Sequence, residues 1–298
     1  MSQSAEINPS PQDEVTLQVL ICAYGPEGMK RVLAGGRPEM PGVQYLVSWQ
    51  QPDSDEPVPE CVLSRNDFRV EIIRSRGVAK NRNNLLRMAT SPLLLFSDDD
   101  VVNSPAQLQA VIEQARLHPD DALLCFKIDY VAFPKYYHDF EFLLSRPAKG
   151  FYMINPELMM RRSQVQGHVW FNEHFGIGAE YPIGEEDVFM EDCRRRGIDG
   201  HFVPIEIGRH DDPTSAEKIG QSPAAIKTKG AIFTYTHPFS WPARMIVHAW
   251  RQMHRYGLKN ALSYLRNWFA GAMSVRGKGL FSLDEPEQAW QSITNHQS

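Results

Sequence analysis

The segment that most constrains the fold runs from Pro92 to Val102, where a short apolar run ends in three consecutive aspartates. Leu93–Phe96 is continuously apolar and bounded by a proline and a polar cluster, which is typical of a strand buried on both faces. The carboxylates of Asp98–Asp100 repel one another, so a bound cation would relieve an electrostatic cost. Mg²⁺ or Mn²⁺ fits this requirement, since both prefer oxygen ligands and bind diphosphate oxygens. The alternative is a solvated acidic turn that precedes the next helix.

Strand-like and helical segments alternate through the first half of the chain. The order predicts an α/β fold with a mostly parallel sheet flanked by helices, whose ligands bind beyond the carboxyl ends of the strands. Ser104-Pro105 supplies an N-cap followed by a proline at the first helical position. The predicted strands are 15–23, 43–49, 68–73, 93–96 and 122–126, and the predicted helices are 29–34, 79–89 and 105–117.

The second half of the chain is less regular. We predict a strand over 157–162, a loop rich in glycine and aromatic residues over 170–183, and a short strand over 201–205. Residues 185–196 predict a helix with acidic residues in its first turn and arginines in its last, which complements the helix dipole.

Composition excludes several classes of protein. A chain of 298 residues can bury a sizeable core, and a net charge of −5 does not favour nucleic-acid binding. The four cysteines are far apart and lack metal-binding spacing, which predicts reduced thiols and a cytoplasmic protein. Residues 1–14 are polar and are predicted to be disordered, with neither a signal-peptide pattern nor a membrane-spanning apolar run elsewhere.

Three further groups of residues have side chains suited to chemistry. Gly184–Asp187 places carboxylates at a helix start, where an ionised acid can act as a base, although such charge is also ordinary there. His210 is a candidate metal ligand, the alternative being a structural histidine. Arg76-Gly77 and Arg82 are candidate phosphate contacts, or simply part of a basic helix face.

Taken in order, these motifs resemble those of family 2 of the inverting glycosyltransferases, of bacterial type and GT-A fold. The resemblance covers about 15–215. One departure is that the second strand ends in Trp49-Gln50-Gln51-Pro52-Asp53, where the family usually has Asp-Asp-Gly-Ser, so the nucleotide base is left open. The matching motifs are Ile21–Gly25, Gly77 with Arg82-Asn83, Asp98–Asp100, Phe171–Ala179 followed by Gly184–Asp187, and His210 with Pro213–Ser215.

The resemblance implies a hexosyltransferase, of the kind used in polysaccharide biosynthesis, that moves a sugar from a UDP- or GDP-linked donor to a glycan or lipid-linked hydroxyl acceptor by single in-line displacement. Asp100, with His210 and Asp98, would bind Mn²⁺ or Mg²⁺. Asp187 would be the base, supported by Glu186. The implied donor contacts are Ala23, Tyr24, Gly25, Asp53, Arg76, Gly77, Arg82, Asp98 and Asp99, and the implied acceptor contacts are Gly178, Ala179 and Glu185.

The last quarter of the chain differs in charge from the rest. Nine of the 31 basic residues and none of the acidic residues lie between Ile219 and Leu283. Two amphipathic helices are predicted, over 243–256 and 258–270, and they would either pack on the domain or bind an anionic membrane surface. The expected division is therefore a disordered 1–14, a GT-A catalytic domain over 15–218 and a basic helical extension over 219–298.

Two other functions remain open from the sequence. A haloacid-dehalogenase-like phosphohydrolase also has an apolar strand followed by Asp-x-Asp, although there the motif normally lies on the first strand. A non-catalytic adaptor that binds a metal or a sugar nucleotide at a membrane would need the aspartates and the basic helices but no base.

Overall fold

A computed structural model describes residues 16–132, 134–211, 222–256 and 258–277. The predicted disorder of 1–14, the Pro213–Ser215 motif and the predicted boundary between 218 and 219 lie outside these residues. Within them, no helix combines the length and apolarity needed to cross a bilayer.

In the described ranges, nine strands form one sheet in the order β3-β2-β1-β4-β8-β6-β9-β5, with β7 paired to β9. The strands are β1 (Leu17–Tyr24), β2 (Val43–Gln50), β3 (Phe68–Ile73), β4 (Leu93–Asp98), β5 (Val101–Val102), β6 (Leu123–Tyr130), β7 (Phe142–Leu143), β8 (Leu158–Arg161) and β9 (Gly200–His210). The helices are α1 (Gly25–Ala34), α2 (Glu60–Leu63), α3 (Val78–Met88), α4 (Pro105–Leu117), α5 (Arg162–Val165), α6 (Glu185–Arg195), α7 (Pro223–Thr236), α8 (Trp241–Tyr256) and α9 (Leu258–Gly277), with a 3₁₀ turn at Asn155–Glu157.

The sheet is mostly parallel, as predicted. Strands β3, β2, β1 and β4 run parallel to one another, and β9 runs parallel to β6. Strand β8 lies between β4 and β6 and is antiparallel to both, so β6 and β9 keep the direction of β4. The carboxyl ends of β1, β2, β4 and β9 therefore meet at one edge of the sheet, which is where an open α/β fold binds its ligands.

Apolar segments form the core on both faces of the sheet. The predicted buried strand is confirmed, since the side chains of Leu93–Phe96 are at most 5% exposed. The predicted start of α4 is also confirmed, because the Ser104 hydroxyl accepts a hydrogen bond from the Gln107 backbone in a capping box. Strand β9 is longer than the predicted 201–205 and continues to His210, which places that histidine at the ligand-binding edge.

Helix α7 was not predicted from the sequence. Small residues form much of its surface, so the apolar stripe that marks an amphipathic helix is weak. A Cβ on Gly230 of α7 would lie 2.1 Å from the Trp268 carbonyl of α9, and one on Gly271 would lie 1.9 Å from the Lys227 carbonyl. The two helices therefore pack with their backbones in close contact, which only glycine allows.

The two C-terminal helices differ in how far their apolar residues are buried, and membrane binding stays a prediction. Helix α9 packs inward, with Trp268 fully buried. The predicted apolar stripe of α9 is split, however, because Leu262 and Phe269 are exposed. Helix α8 leaves most of its apolar stripe in solvent, with Ile246 63% and Trp250 58% exposed.

Candidate functional site

Two predicted metal ligands that lie far apart in the sequence are adjacent in the fold. The short strand β5 pairs with the end of β9, so Val101 lies opposite His210. His210 Nε2 is 3.2 Å from Asp100 Oδ1, and the His210 side chain is buried. Burial alone would raise the pKa of Asp100, but the hydrogen bond and charge of His210 hold it below its usual value.

The pKa of Asp98 is raised in the folded chain. Burial raises its pKa to about 7, and the charges of Asp100, Asp99 and Glu186 act in the same direction, against the opposing effect of Arg82. A bound cation would favour the ionised carboxylate. Asp100 and His210 supply a carboxylate and an imidazole that fit a divalent ion, and the carboxylate of Asp98 lies close enough to feel the charge of Asp100.

Asp99, the middle aspartate, lies beneath α1. Its two oxygens accept hydrogen bonds of 2.9 and 2.8 Å from Arg31, and a Cβ on Gly28 would lie 2.9 Å from Oδ2. This bidentate pair holds α1 against the end of β4, and the donor contact of Asp99 stays a prediction.

Arg37 is a positioning residue that the sequence did not reveal. Its guanidinium is buried and donates to the backbone carbonyls of Asp98, Asp99 and Val101, which fixes the turn that carries the aspartates. The only local signal is an arginine just after Gly35-Gly36, and nothing in that pattern indicates its partners.

Three predicted donor contacts come together at the ends of β1, β2 and β3. The Arg76 guanidinium donates to the Tyr24 hydroxyl over 2.9 Å and pairs with the Asp53 carboxylate. All three side chains are exposed at the ligand-binding edge of the sheet. They supply one positive charge, one negative charge and one aromatic ring, which are groups that can bind a nucleotide.

The backbone next to these side chains is fixed by polar contacts. Ala23 is buried, and its carbonyl accepts a hydrogen bond from Asn81. Gly25 begins α1 with a φ of +61°, and its carbonyl accepts a 2.7 Å hydrogen bond from the Trp49 indole. The Gln50 amide donates to the Gly77 carbonyl over 3.0 Å. Gln50 thus positions the glycine segment, while Asp53 stays exposed.

The predicted donor and acceptor segments touch each other. A Cβ on Gly178 would lie 3.0 Å from the backbone of Gly77, and the Val78 amide donates to the Ile177 carbonyl over 2.9 Å. Both glycines have positive φ values, +112° for Gly77 and +83° for Gly178, which non-glycine residues rarely adopt. The loop that includes Ala179 is therefore held directly against the segment that begins α3.

Arg82 and Glu185 form a buried ion pair between α3 and α6. Arg82 Nη1 lies 2.9 Å from Glu185 Oε1 and 3.3 Å from Glu186 Oε1, and both Arg82 and Glu185 are buried. The phosphate contact of Arg82 and the acceptor contact of Glu185 stay predictions, and in this structure the two side chains pair with each other. Their ion pair positions the start of α6, and the Asn83 side chain beside them holds the 170–183 loop through the Phe171 backbone.

The two predicted catalytic acids face different spaces. Glu186 lies on the side of α6 that faces Arg82, and its charge raises the pKa of Asp98. Asp187 is one of the residues that line a cavity of about 660 Å³. The residue is exposed, but desolvation of its carboxyl group and then the charge of Glu186 raise its pKa to about 6. The cavity has a mainly apolar lining that includes Ile183, Met190, Ile232, Phe233 and Tyr264.

Part of the chain matches the model of a known protein family. Residues 52–174 match the family model of glycosyl transferase family 2. The matched segment contains Asp98–Asp100, Arg76 and Arg82, but it ends before α6. No curated protein sequence matches this chain.

The solved structures that resemble this chain include TarS of S. aureus. Its 1–349 fragment superposes with a TM-score of 0.55 at 14% identity, over 88% of this chain and 92% of that one. The same fragment in complex with UDP-GlcNAc gives 0.59 at 13% identity, over 88% and 92%. A longer TarS chain gives 0.58 at 14% identity, over 87% of this chain and 55% of that one. At such identities the likeness establishes the fold, and the predicted GT-A architecture is confirmed.

Proposed function

We propose that this protein is a glycosyltransferase that takes a sugar from a nucleoside-diphosphate donor and transfers it to a hydroxyl acceptor. The observation that carries the proposal is the contact between Asp100 and His210 beside Asp98 at the carboxyl edge of the sheet, within a fold and a segment that match glycosyltransferases. The TarS fragment is described in complex with UDP-GlcNAc and with UDP, so we propose a UDP-linked sugar for this chain as well.

We propose that Asp100, His210 and Asp98 hold Mn²⁺ or Mg²⁺. Such an ion would bind the diphosphate and neutralise the charge that develops as the nucleotide leaves. The protein contributes a fixed backbone at the site, since Arg37 holds the aspartate turn and Arg31 pairs with Asp99. Tyr24, Asp53 and Arg76 would contact the nucleotide at the neighbouring strand ends.

The first turn of α6 would supply the base that takes the proton of the acceptor hydroxyl. Asp187 is the base that the family resemblance implies, with Glu186 in support. The surroundings of the two acids favour the reverse assignment, because Glu186 lies 3.3 Å from Arg82 and its charge acts on Asp98, whereas Asp187 lines the apolar cavity. We therefore propose Glu186 as the base for single in-line displacement, and Asp187 with Gly178 and Ala179 as part of the acceptor side.

The α8 surface supports an acceptor that lies at a membrane. Ile246 and Trp250 are exposed on the same helix as the exposed Arg244 and Arg251. An amphipathic helix with this composition binds an anionic surface through its apolar face and its cations. We propose that the protein works in the cytoplasm on the inner face of the cell membrane and that its acceptor is a lipid-linked saccharide.

Co-sedimentation with liposomes tests the membrane part of this proposal. We expect binding to phosphatidylglycerol vesicles, weak binding to phosphatidylcholine vesicles and reduced binding of Trp250→Ser. Leu117→Ser is the matched control, because Leu117 is also exposed but lies on α4. Equal sedimentation of Trp250→Ser and the unaltered chain would remove α8 from the proposal.

A donor-hydrolysis and transfer assay tests the catalytic part. With Mn²⁺ and a panel of UDP- and GDP-sugars, we expect release of one nucleoside diphosphate, and loss of that release in Asp100→Asn but not in the exposed control Asp139→Asn. Release of inorganic phosphate from a generic phosphoester would favour the phosphohydrolase instead. Donor binding without turnover would favour the adaptor.

A further inference from the structure

Three side chains with metal-binding atoms converge at a place remote from the candidate donor site. His118 Nδ1 lies 3.2 Å from Asp121 Oδ2, and His201 Nδ1 lies 2.6 Å from the same oxygen. The three ligand atoms all lie within 4.8 Å of one another, and all three residues are partly buried. Two imidazole nitrogens and one carboxylate oxygen therefore point at a common position.

The cluster stands on regular secondary structure. His118 ends α4, Asp121 lies in the turn that follows, and His201 lies on β9 opposite Leu124 of β6. The Arg161 guanidinium donates to the backbone carbonyls of Ala115, His118 and Asp121. Arg161 therefore fixes the backbone of the turn that bears His118 and Asp121. The third side chain, His201, extends from a paired strand.

The position of β9 separates this cluster from the candidate donor site. His201 lies near the start of the strand and His210 at its end. Nine residues of extended chain span roughly 30 Å. The cluster therefore occupies the opposite edge of the sheet from Asp100, and a metal there would be distinct from one bound by Asp100 and His210.

The distances suit a transition-metal ion. In a tetrahedral zinc site, bonds of about 2.0–2.1 Å place neighbouring ligand atoms about 3.4 Å apart. The separations from Asp121 Oδ2 are 3.2 and 2.6 Å, so only small side-chain shifts would admit the ion. Imidazole together with carboxylate suits zinc better than magnesium, and three protein ligands leave one position for water.

We propose that His118, Asp121 and His201 form a second, transition-metal site, selective for Zn²⁺ over Mg²⁺, at the edge of the sheet opposite the donor site. Because α4, β6 and β9 all adjoin it, a bound ion would tie the end of α4 to the sheet. The competing explanation is a metal-free cluster in which the Asp121 carboxylate simply pairs with the two histidines.

Zinc titration of the chelator-treated full chain tests the site. We use the Asp100→Ala background so that zinc at the donor site does not contribute, and we measure stoichiometry by calorimetry and the melting temperature with and without ZnCl₂. One zinc ion should bind per chain and raise the melting temperature, whereas MgCl₂ should do neither. His118→Ala or His201→Ala should weaken zinc binding by more than about 100-fold, since outer-shell changes alone reach that size.

His168→Ala is the control, because His168 is exposed and lies on another part of the chain. Asp121→Asn offers a second variant that keeps the shape of the side chain, and circular dichroism without zinc shows whether each variant is folded. No zinc uptake, or uptake that persists unchanged in folded His201→Ala and Asp121→Asn, would overturn the proposal. The readout is metal binding, so the test of the zinc site does not depend on whether the protein transfers a sugar.

Discussion

The chain contains two triplets of adjacent acids, Asp98–Asp100 at the end of a strand and Glu185–Asp187 at the start of a helix. In each triplet an arginine neutralises one member inside the protein, Arg31 for Asp99 and Arg82 for Glu185. The other members have different surroundings, since Asp100 pairs with His210, Glu186 also lies 3.3 Å from Arg82 and Asp187 lines the apolar cavity. The turn after β4 and the 100° step of a helix send neighbouring side chains in different directions, so adjacent acids in the sequence make different contacts.

Two acids of the helix triplet, Glu186 and Asp187, are candidates for the base. We expect Glu186→Gln to lower the rate of transfer by about 10²–10⁴-fold, the range for general base catalysis, and to leave donor affinity nearly unchanged. Asp187→Asn should act mainly on the acceptor KM. Steady-state kinetics with both substrates varied will separate the two variants. A large loss of kcat in Asp187→Asn alone would return the base to Asp187.

Replacing Arg82, which neutralises Glu185 of the helix triplet, should lower the free energy of unfolding. Arg82→Met leaves Glu185 buried without its cation, and we expect the free energy of unfolding to fall by about 3–5 kcal/mol. The double variant Arg82→Met/Glu185→Met removes both charges and should recover most of that loss. Chemical denaturation measures both, and a double variant as unstable as the single one would show that packing, rather than charge, governs the pair.

Replacing Arg31, which neutralises Asp99 of the strand triplet, should lower the free energy of unfolding by a smaller amount. Arg31 is 43% exposed at its side chain, whereas the Asp99 side chain is 12% exposed. Water screens part of the pair, so Arg31→Met should lower the free energy of unfolding by about 1–2 kcal/mol. Lys30→Met is the control on the same helix, because Lys30 pairs with Glu27 in solvent. A loss as large as that of Arg82→Met would contradict the proposed difference between the triplets.

The smallest expected effect is the pH dependence from Asp187. Its pKa is raised from 3.8 to about 6 in the folded chain, so ionisation of this group costs stability as pH rises through that window. The melting temperature of Asp187→Asn should therefore match that of the unaltered chain near pH 4, exceed it increasingly up to about pH 6 and stay higher above it. A constant difference at every pH would show that Asp187 has an ordinary pKa.

The sequence predicted features that depend on neighbours along the chain. Apolar runs identified the central strands, and Ser104-Pro105 identified the start of α4. It could not predict partners across the fold, such as Arg82 with Glu185 or Arg37 with the aspartate turn, because an ion pair leaves no periodic pattern. Helix α7 escaped prediction because its small residues serve a close contact with α9 rather than an apolar stripe.

The same limits apply to the candidate site. The order of the motifs predicted Asp100 and His210 as metal ligands. The pairing of β5 with β9 places His210 Nε2 3.2 Å from Asp100 Oδ1. The sequence could not tell that Asp99 lies beneath α1, or that Glu186 and Asp187 face different spaces. Those facts depend on the direction of each side chain, which is fixed only when strands and helices pack.

The most direct test of the account is the binding of UDP to the full chain by calorimetry, with and without Mn²⁺, in the unaltered protein, Asp100→Asn and Asp99→Asn. We predict metal-dependent binding that is lost in Asp100→Asn and retained in Asp99→Asn, since the first carboxylate would hold the ion and the second pairs with Arg31. Equal UDP binding in Asp100→Asn and the unaltered protein would contradict the proposed donor site.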